Sequence, residues 1–459
     1  MKQDIPGNRP RIGVLEHTGP SIGGGTMVAA HLASLLSCSH AVDLIRDWSG
    51  FSVEQVSSAF SLDLSNVRAR GFDGMWESFA VPGKYSLRQQ IERSRALTAE
   101  YDLFIYAGHW IPPFCFARHG LIYCHFPIHV PLEQEFVAND PRWKRRSWLD
   151  QWIRTKAYLL GWRARLNGYD RIFANSAFTA GWMTQRWKTQ AEVLYPPIEL
   201  NVPSIEKQNR IVSIGRFVGA ERGGKGHLAQ VEAFRDFHAQ VKEPWELWMI
   251  GSCFPERESS YLSSIQEAAR GLPIKFLVNV DRNTVLESLA GAKLFWHTAG
   301  LAESSGEDPV FSEHFGMATV EAMRSGSVPI VISSGGQREI VRNGIDGFLC
   351  KNLGELVAGS VSVAENSGRL ASMSRETISR SEDFSGRVFD TRVLEVVRRT
   401  ISTKSKGWST RVLGAIAGMR ASSRRSYEAQ HPARGVISTR EEDSAEGELA
   451  RSKTHAEIE

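Results

Sequence analysis

The residues best placed to do chemistry lie in one short stretch, Glu313-His-Phe-Gly-Met-Ala-Thr-Val-Glu321, followed by Gly326, the apolar run Val328–Ile332 and Gly335-Gly336. Two carboxylates straddle Gly316, which stands at the start of the helix that the pattern predicts. A glycine there lets a ligand approach the backbone, and the N–H groups of the first helical turn lack intrahelical acceptors. Such a terminus binds phosphate. Glu313, just before the helix, could grip sugar hydroxyls, and Glu321, about two turns in, could reach back to a ribose. The plain alternative makes Glu321 a helix-surface acid and Glu313 a favourable charge near the positive end of the helix dipole.

Other candidates stand where predicted strands end, the edge at which open α/β sheets bind ligands. Arg216 follows Ile211–Ile214, and Lys225 comes next in a loop with Glu221, Arg222, Gly223 and Gly224. A guanidinium fork with an ammonium suits a diphosphate and neutralises it as a leaving group; solvated loop charges are the alternative. His125 follows Leu121–Cys124, where a hydrogen-bonded core histidine is the rival reading. Gly23-Gly24-Gly25 follows the first strand, either as a tight turn or as an opening for the next helix's N-terminus. It is not a dinucleotide fingerprint, because Val28 occupies the third glycine position. Ser176 suits a helix N-cap, and Arg338 and Glu339 follow the Gly335-Gly336 pair.

The elements that must position these groups alternate between short apolar runs and helical stretches, the pattern of parallel sheets with crossover helices. Strands are expected at 11–15, 41–45, 101–106, 120–124 and 169–174, with a helix over 26–36 and another over roughly 143–166. Val193-Leu-Tyr-Pro-Pro197 breaks the pattern, since two prolines continue neither a helix nor a central strand. It restarts with runs at 210–214, 245–250, 274–277, 293–296 and 328–332. This predicts an α/β chain with doubly wound domains over 1–200 and 201–385, a closing helix over 386–401, and a largely disordered tail over 402–459. Within the tail, 407–419 could form one amphipathic helix.

Composition narrows the function classes. A chain of 459 residues, 42% hydrophobic, points to two or three domains and excludes wholesale disorder. Lys plus Arg at 55 against Asp plus Glu at 51 gives +4, which does not mark a dedicated nucleic-acid binder. It fits an anionic substrate or membrane surface. No stretch approaches the roughly 18–20 apolar residues of a spanning helix, and no secretory apolar region follows Met1. Cys38, Cys115, Cys124, Cys253 and Cys350 lack C-x-x-C spacing, so buried free thiols in a reducing cytosol are expected. Aromatics and bases interleave from Trp143 to Arg165. That surface suits an anionic bilayer interface, with packing of Trp152, Tyr158, Leu159 and Trp162 into the core as the rival.

In order along the chain, Gly23–Gly25, Tyr123-Cys-His-Phe-Pro127, Asn175-Ser-Ala-Phe-Thr-Ala180, Leu194-Tyr-Pro-Pro197, Gly215-Arg-Phe217 with Lys225-Gly-His227, and the 313–321 block resemble the family 4 retaining glycosyltransferases. The likeness is greatest to lipid-linked oligosaccharide α-mannosyltransferases and covers roughly residues 9–400. It implies the GT-B fold, two facing Rossmann-like domains with a cleft between them. It also implies donor binding by Gly24, Gly25, Arg216, Lys225, Glu313, Phe315, Gly316, Met317 and Glu321, with His125 facing the transferred sugar. His125, Arg216, Lys225 and Glu313 are then the catalytic set. The implied partners are a nucleotide-sugar donor, a glycan or lipid-linked acceptor and a peripheral membrane contact, with no nucleic acid. Neither cofactor nor metal is expected, and the location is cytoplasmic, at the face of a membrane. A sugar-nucleotide epimerase or hydrolase and a non-catalytic nucleotide-sugar-binding protein remain the alternatives.

Overall fold

Parallel strands covered on both faces must bury every side chain, so they form where apolar runs are unbroken. In the computed structural model, which describes residues 9–17, 22–47, 50–74, 86–128, 147–219, 224–301 and 309–404, such runs build two sheets. The first holds β1 (Arg11–Glu16), β2 (Ala41–Arg46), β3 (Val67–Gly71), β4 (Leu103–Gly108), β5 (His119–Cys124), β6 (Arg171–Ala174) and β7 (Glu192–Val193). Their order is β3-β2-β1-β4-β5-β6-β7, every pair parallel. The second holds β8 (Gln208–Ile214), β9 (Glu246–Gly251), β10 (Ile274–Val278), β11 (Ala292–His297), β12 (Val328–Ile332) and β13 (Phe348–Cys350), in the order β10-β9-β8-β11-β12-β13, again all parallel.

In each sheet the strand order reverses once, between β1 and β4 and between β8 and β11. At such a switch point the crossover helices diverge to opposite faces and leave a crevice outside the carboxyl ends. The amino edge of the second sheet is closed instead. There the Lys207 amine donates to the carbonyls of Ala292 (2.7 Å) and Ser325 (2.6 Å), and burial pushes its pKa down to about 7.

Two chain crossings tie the lobes side by side. The Ile198 N–H donates to the Phe384 carbonyl at 3.1 Å, and a Cβ on Gly386 would lie 2.3 Å from the Glu199 carboxylate. Tyr195, Phe315 and Phe384 pack ring against ring at this seam. The helix Gly386–Ser402 then returns to the first lobe, where Phe389, Val393, Val396 and Val397 join its core. His31 Nε2 meets Asp390 Oδ1 at 2.7 Å beside them.

Several expectations need correction. β3, β7 and β13 escape a search for apolar runs because they hold none: only Val67 of β3 is buried, and the other two span two and three residues. The long helix runs Trp148–Leu166 behind a Ser147 N-cap, while Trp143 to Arg146 fall outside the described residues. Trp162 is core, against Trp187, but Trp152 is not: it is 55% exposed and Trp148 77%. Cys38 is exposed, and the other four cysteines are buried. Residues 405–459 lie outside the description, including 407–419. No described helix is long and apolar enough to cross a membrane.

Because the last helix completes the first core, its anchor carries stability that its distance in sequence hides. Phe389→Ala is expected to destabilise the protein by roughly 3–5 kcal/mol in denaturant unfolding. A loss below ~0.5 kcal/mol, the scale of an ordinary surface substitution, would show that the helix is not part of that core.

Candidate active site

At the second switch point a carboxylate that is 19% exposed is held by an ammonium and an imidazole. Glu313 accepts from Lys225 Nζ at 2.7 Å and lies 2.9 Å from Nε2 of His297, the last residue of β11. Burial raises the cost of its charge, yet Lys225 and His297 outweigh that and hold the carboxyl well below its ordinary value. The Lys225 stem crosses Gly215 so closely that a Cβ there would sit 2.4 Å from its Cγ. Gly335 and Gly336 do the same for Glu313. Their hypothetical Cβ atoms would fall 2.0 Å from the Glu313 carbonyl oxygen and 2.5 Å from the Phe315 backbone. Glycine is the residue that permits these approaches.

Gly316, at φ +119°, caps the helix Met317–Arg324. Across from it, Gly23 precedes the helix Gly24–Ser37. A Cβ on Gly24 would stand 3.0 Å from Met317 Sδ, and one on Gly25 3.2 Å from His125 Nε2. The two glycine-opened helix starts therefore face each other, with His125 beside them. Phe315 is buried behind this point. Arg216 is half exposed, its guanidinium 3.7 Å from the buried carboxylate of Glu258. Gly215 carries both neighbours, Arg216 in sequence and Lys225 in space. The insertion at Glu221 and Arg222 lies outside the described residues.

Glu313 and Glu321 do not share partners. Glu321 is held by Arg282 at 2.5 Å, a cation that no sequence motif flagged. Two further residues escaped sequence reasoning. His109 follows β4 with its ring 4.9 Å from that of His125, and His314 stacks on Phe126 at 3.9 Å, 7° from parallel, joining the lobes. Burial, with a smaller repulsion from His109 and His314 on His125, from His17 on His109 and from His109 on His314, pushes His125 well below its usual value, His109 down to about 4 and His314 down to about 3. His109 Nδ1, His125 Nε2 and His314 Nε2 are buried without hydrogen-bond partners among the described residues. Neutral imidazoles can donate or accept, so this surface suits a hydroxyl-rich group. Glu339 is the residue that the sequence singled out after the Gly335-Gly336 pair. It takes N–H donors from Ala177 and Phe178, both at 2.7 Å, and the Tyr195 hydroxyl at 3.1 Å. Its role is a tie between lobes. Ser176 does cap a helix, Ala177–Trp182, accepting from Thr179 N–H (3.0 Å), and also donates to the His314 carbonyl at 2.6 Å. Arg338 turns back to Ser333.

Comparison with known proteins follows the same division. Residues 199–379 match the family model of glycosyl transferases group 1. The chain is 26% identical over 219 residues to the GDP-Man:Man(3)GlcNAc(2)-PP-Dol alpha-1,2-mannosyltransferase of Xenopus laevis, covering 44% of this chain and 41% of that protein. The chain thus spans about two fifths of the length of that curated relative. Among solved structures, a glycosyltransferase from Rickettsia africae ESF-5 superposes with a TM-score of 0.60 at 14% identity, over 86% of this chain and 100% of that one. The Anabaena protein HepE, solved with UDP and glucose, gives 0.57 at 15%, over 85% and 100%. The likeness in structure establishes the expected two-lobed GT-B fold.

The buried histidines set a pH dependence of stability. In the folded protein His109 and His314 take up protons only near pH 4 and 3, whereas the unfolded chain does so near its ordinary 6.5. Below about pH 6.5 the unfolded state binds more protons, so stability falls as pH drops from 6.5 toward 4. Thermal melts from pH 7 to 4 should fall less steeply for His109→Gln/His314→Gln than for wild type; parallel slopes would contradict the burial of neutral rings.

Proposed function

Taking residues 199–379 as a group 1 glycosyltransferase domain on a GT-B frame, we propose that the chain is a retaining glycosyltransferase. It moves a hexose, mannose from GDP-mannose, from a nucleoside-diphosphate sugar to a hydroxyl of a lipid-linked glycan. The observation that carries the reading is the Gly316 helix start, bordered by the Lys225–Glu313 pair, standing against Gly24 of the other lobe through Met317, with His125 beside Gly25.

In this mechanism the diphosphate lies between the two helix starts, whose free N–H groups and dipoles favour an anion. Arg216 and Lys225 donate to its oxygens and spread the charge that develops as it departs. Glu313 and the neutral His125 receive the hydroxyls of the sugar. The bond from the anomeric carbon to the phosphate oxygen breaks. The acceptor oxygen bonds that carbon from the same face, and its proton passes to the departing phosphate oxygen. Side-chain cations carry the charge, so the reaction uses no metal. Closure of the lobes keeps water from the donor.

The exposed Trp148, Leu149 and Trp152 form an apolar patch at the start of one helix, and Trp143, Lys144, Arg145 and Arg146 precede it in sequence. We assign this segment to the surface of an anionic bilayer on its cytoplasmic side, where a lipid-linked acceptor presents its glycan.

Thermal-shift titration with GDP-, UDP- and ADP-sugars tests donor binding, since a ligand of the folded state raises apparent stability by mass action. GDP-mannose should give the largest shift, and no shift with any would overturn the reading. Arg216→Ala and Lys225→Ala should each lower kcat by about 10²–10³ if they stabilise the leaving group; near-wild-type turnover in both removes that assignment. Trp148→Ala/Trp152→Ala should sediment less with anionic vesicles than wild type, and equal sedimentation would contradict the membrane face.

A further inference from the structure

The Arg282–Glu321 pair is outside every motif and sits in a context built to hold it. Arg282 opens the helix Arg282–Ala290, where a positive charge opposes the helix dipole. The fold compensates at the preceding residue: the Asp281 carboxylate accepts from the Thr284 N–H at 3.0 Å and its hydroxyl at 2.9 Å. The approach to this turn is pinned as well. Asn279, at φ +53°, bonds both the N–H and the carbonyl of Cys253 through its side chain, each at 2.9 Å. A cation placed against its own helix, on a turn fixed from two sides, breaks a local rule where function is to be sought.

Its guanidinium reaches Glu321 Oε1 at 2.5 Å, with Arg282 29% and Glu321 14% exposed. Among the described residues it is the one ion-pair partner of that carboxylate. Glu321 lies further along the helix whose start is Gly316, so Glu313 and Glu321 flank that start. The Arg282 turn belongs to the β9–β10 side of the sheet, away from Glu313. A ligand whose diphosphate meets Gly316 and whose sugar meets Glu313 leaves its nucleoside on that side.

We propose that Arg282 is a positioning residue of the donor site: it fixes the Glu321 carboxylate so that the remaining oxygen accepts from the ribose 2′-hydroxyl, and it thereby makes the site select ribonucleotides over 2′-deoxyribonucleotides. The inference rests on the proposed function and names how that site chooses its donor. A carboxylate that rotates freely loses orientation, whereas one gripped at one oxygen presents the other at a fixed angle.

The test is calorimetric titration of the full chain with GDP, UDP and their 2′-deoxy counterparts. Wild type should bind the better ribonucleotide about tenfold more tightly than its deoxy form, the scale of one hydrogen bond to a charged group. In Arg282→Ala the ratio should shrink to within about twofold, in Arg282→Lys it should recover in part, and Glu321→Ala/Arg282→Ala should lose no more than Glu321→Ala. A merely structural ion pair would lower melting temperature and leave the ratio intact. If Arg282→Ala fails to fold, Arg282→Met, which keeps the aliphatic stem, gives the same readout. An unchanged ratio in the folded variant, or equal binding of ribo and deoxy forms by wild type, overturns the inference and leaves the proposed function standing. Failure of wild type to bind any of the four overturns the proposed function itself.

Discussion

Everything at the site depends on burying the Glu313 carboxylate. A lone charge in that position is strongly unfavourable, and the fold solves this by bringing both Lys225 and His297 to its Oε2. That requirement fixes three loops at once: the one after β8, which delivers Lys225 across bare Gly215; the end of β11, which delivers His297; and the one after β12, whose two glycines lie flat against the Glu313 backbone. The Gly316 helix start is aimed by the same arrangement. An anion arriving there meets donors already held in place, which is the form of electrostatic stabilisation that needs no reorganisation.

The second constraint acts between the lobes. Besides the Tyr195, Phe315 and Phe384 rings at the crossings, they touch through polar ties and one stacked pair: Glu339 on the Ala177 and Phe178 amides, Ser176 on the His314 carbonyl, and His314 on Phe126. A seam of this kind, beside a hinge made of two adjacent crossings, permits domain motion more readily than a broad apolar interface. The same residues that hold the lobes together also border the site, so any change in lobe angle moves His314 and the Glu313 turn relative to His125.

How much of this was legible in the sequence follows from the kind of force involved. The buried strands were, because an unbroken apolar run has one physical use in such a chain; the edge strands β3, β7 and β13 were not, since their pairing is set by the neighbouring strand. Gly316, Gly24 and Gly25 were legible as backbone requirements, and the structure brings them face to face. Arg282, His109, His314 and the tie made by Glu339 were not. Each acquires its role from a partner distant in sequence (39 residues in the case of Arg282 and Glu321), and nothing local distinguishes such a side chain from a solvated one. Trp152 shows the converse error, where helical spacing suggested a core that the structure places elsewhere.

The central claim is that one diphosphate is gripped from both lobes at once. Hydrogen–deuterium exchange with and without GDP measures this directly, because amides that bind phosphate are protected from exchange. The account predicts slower exchange in two separate segments, the turn over 316–319 and the turn over 24–27, within the same titration. Unchanged exchange in either segment at saturating GDP, or protection confined to residues remote from them, would contradict it.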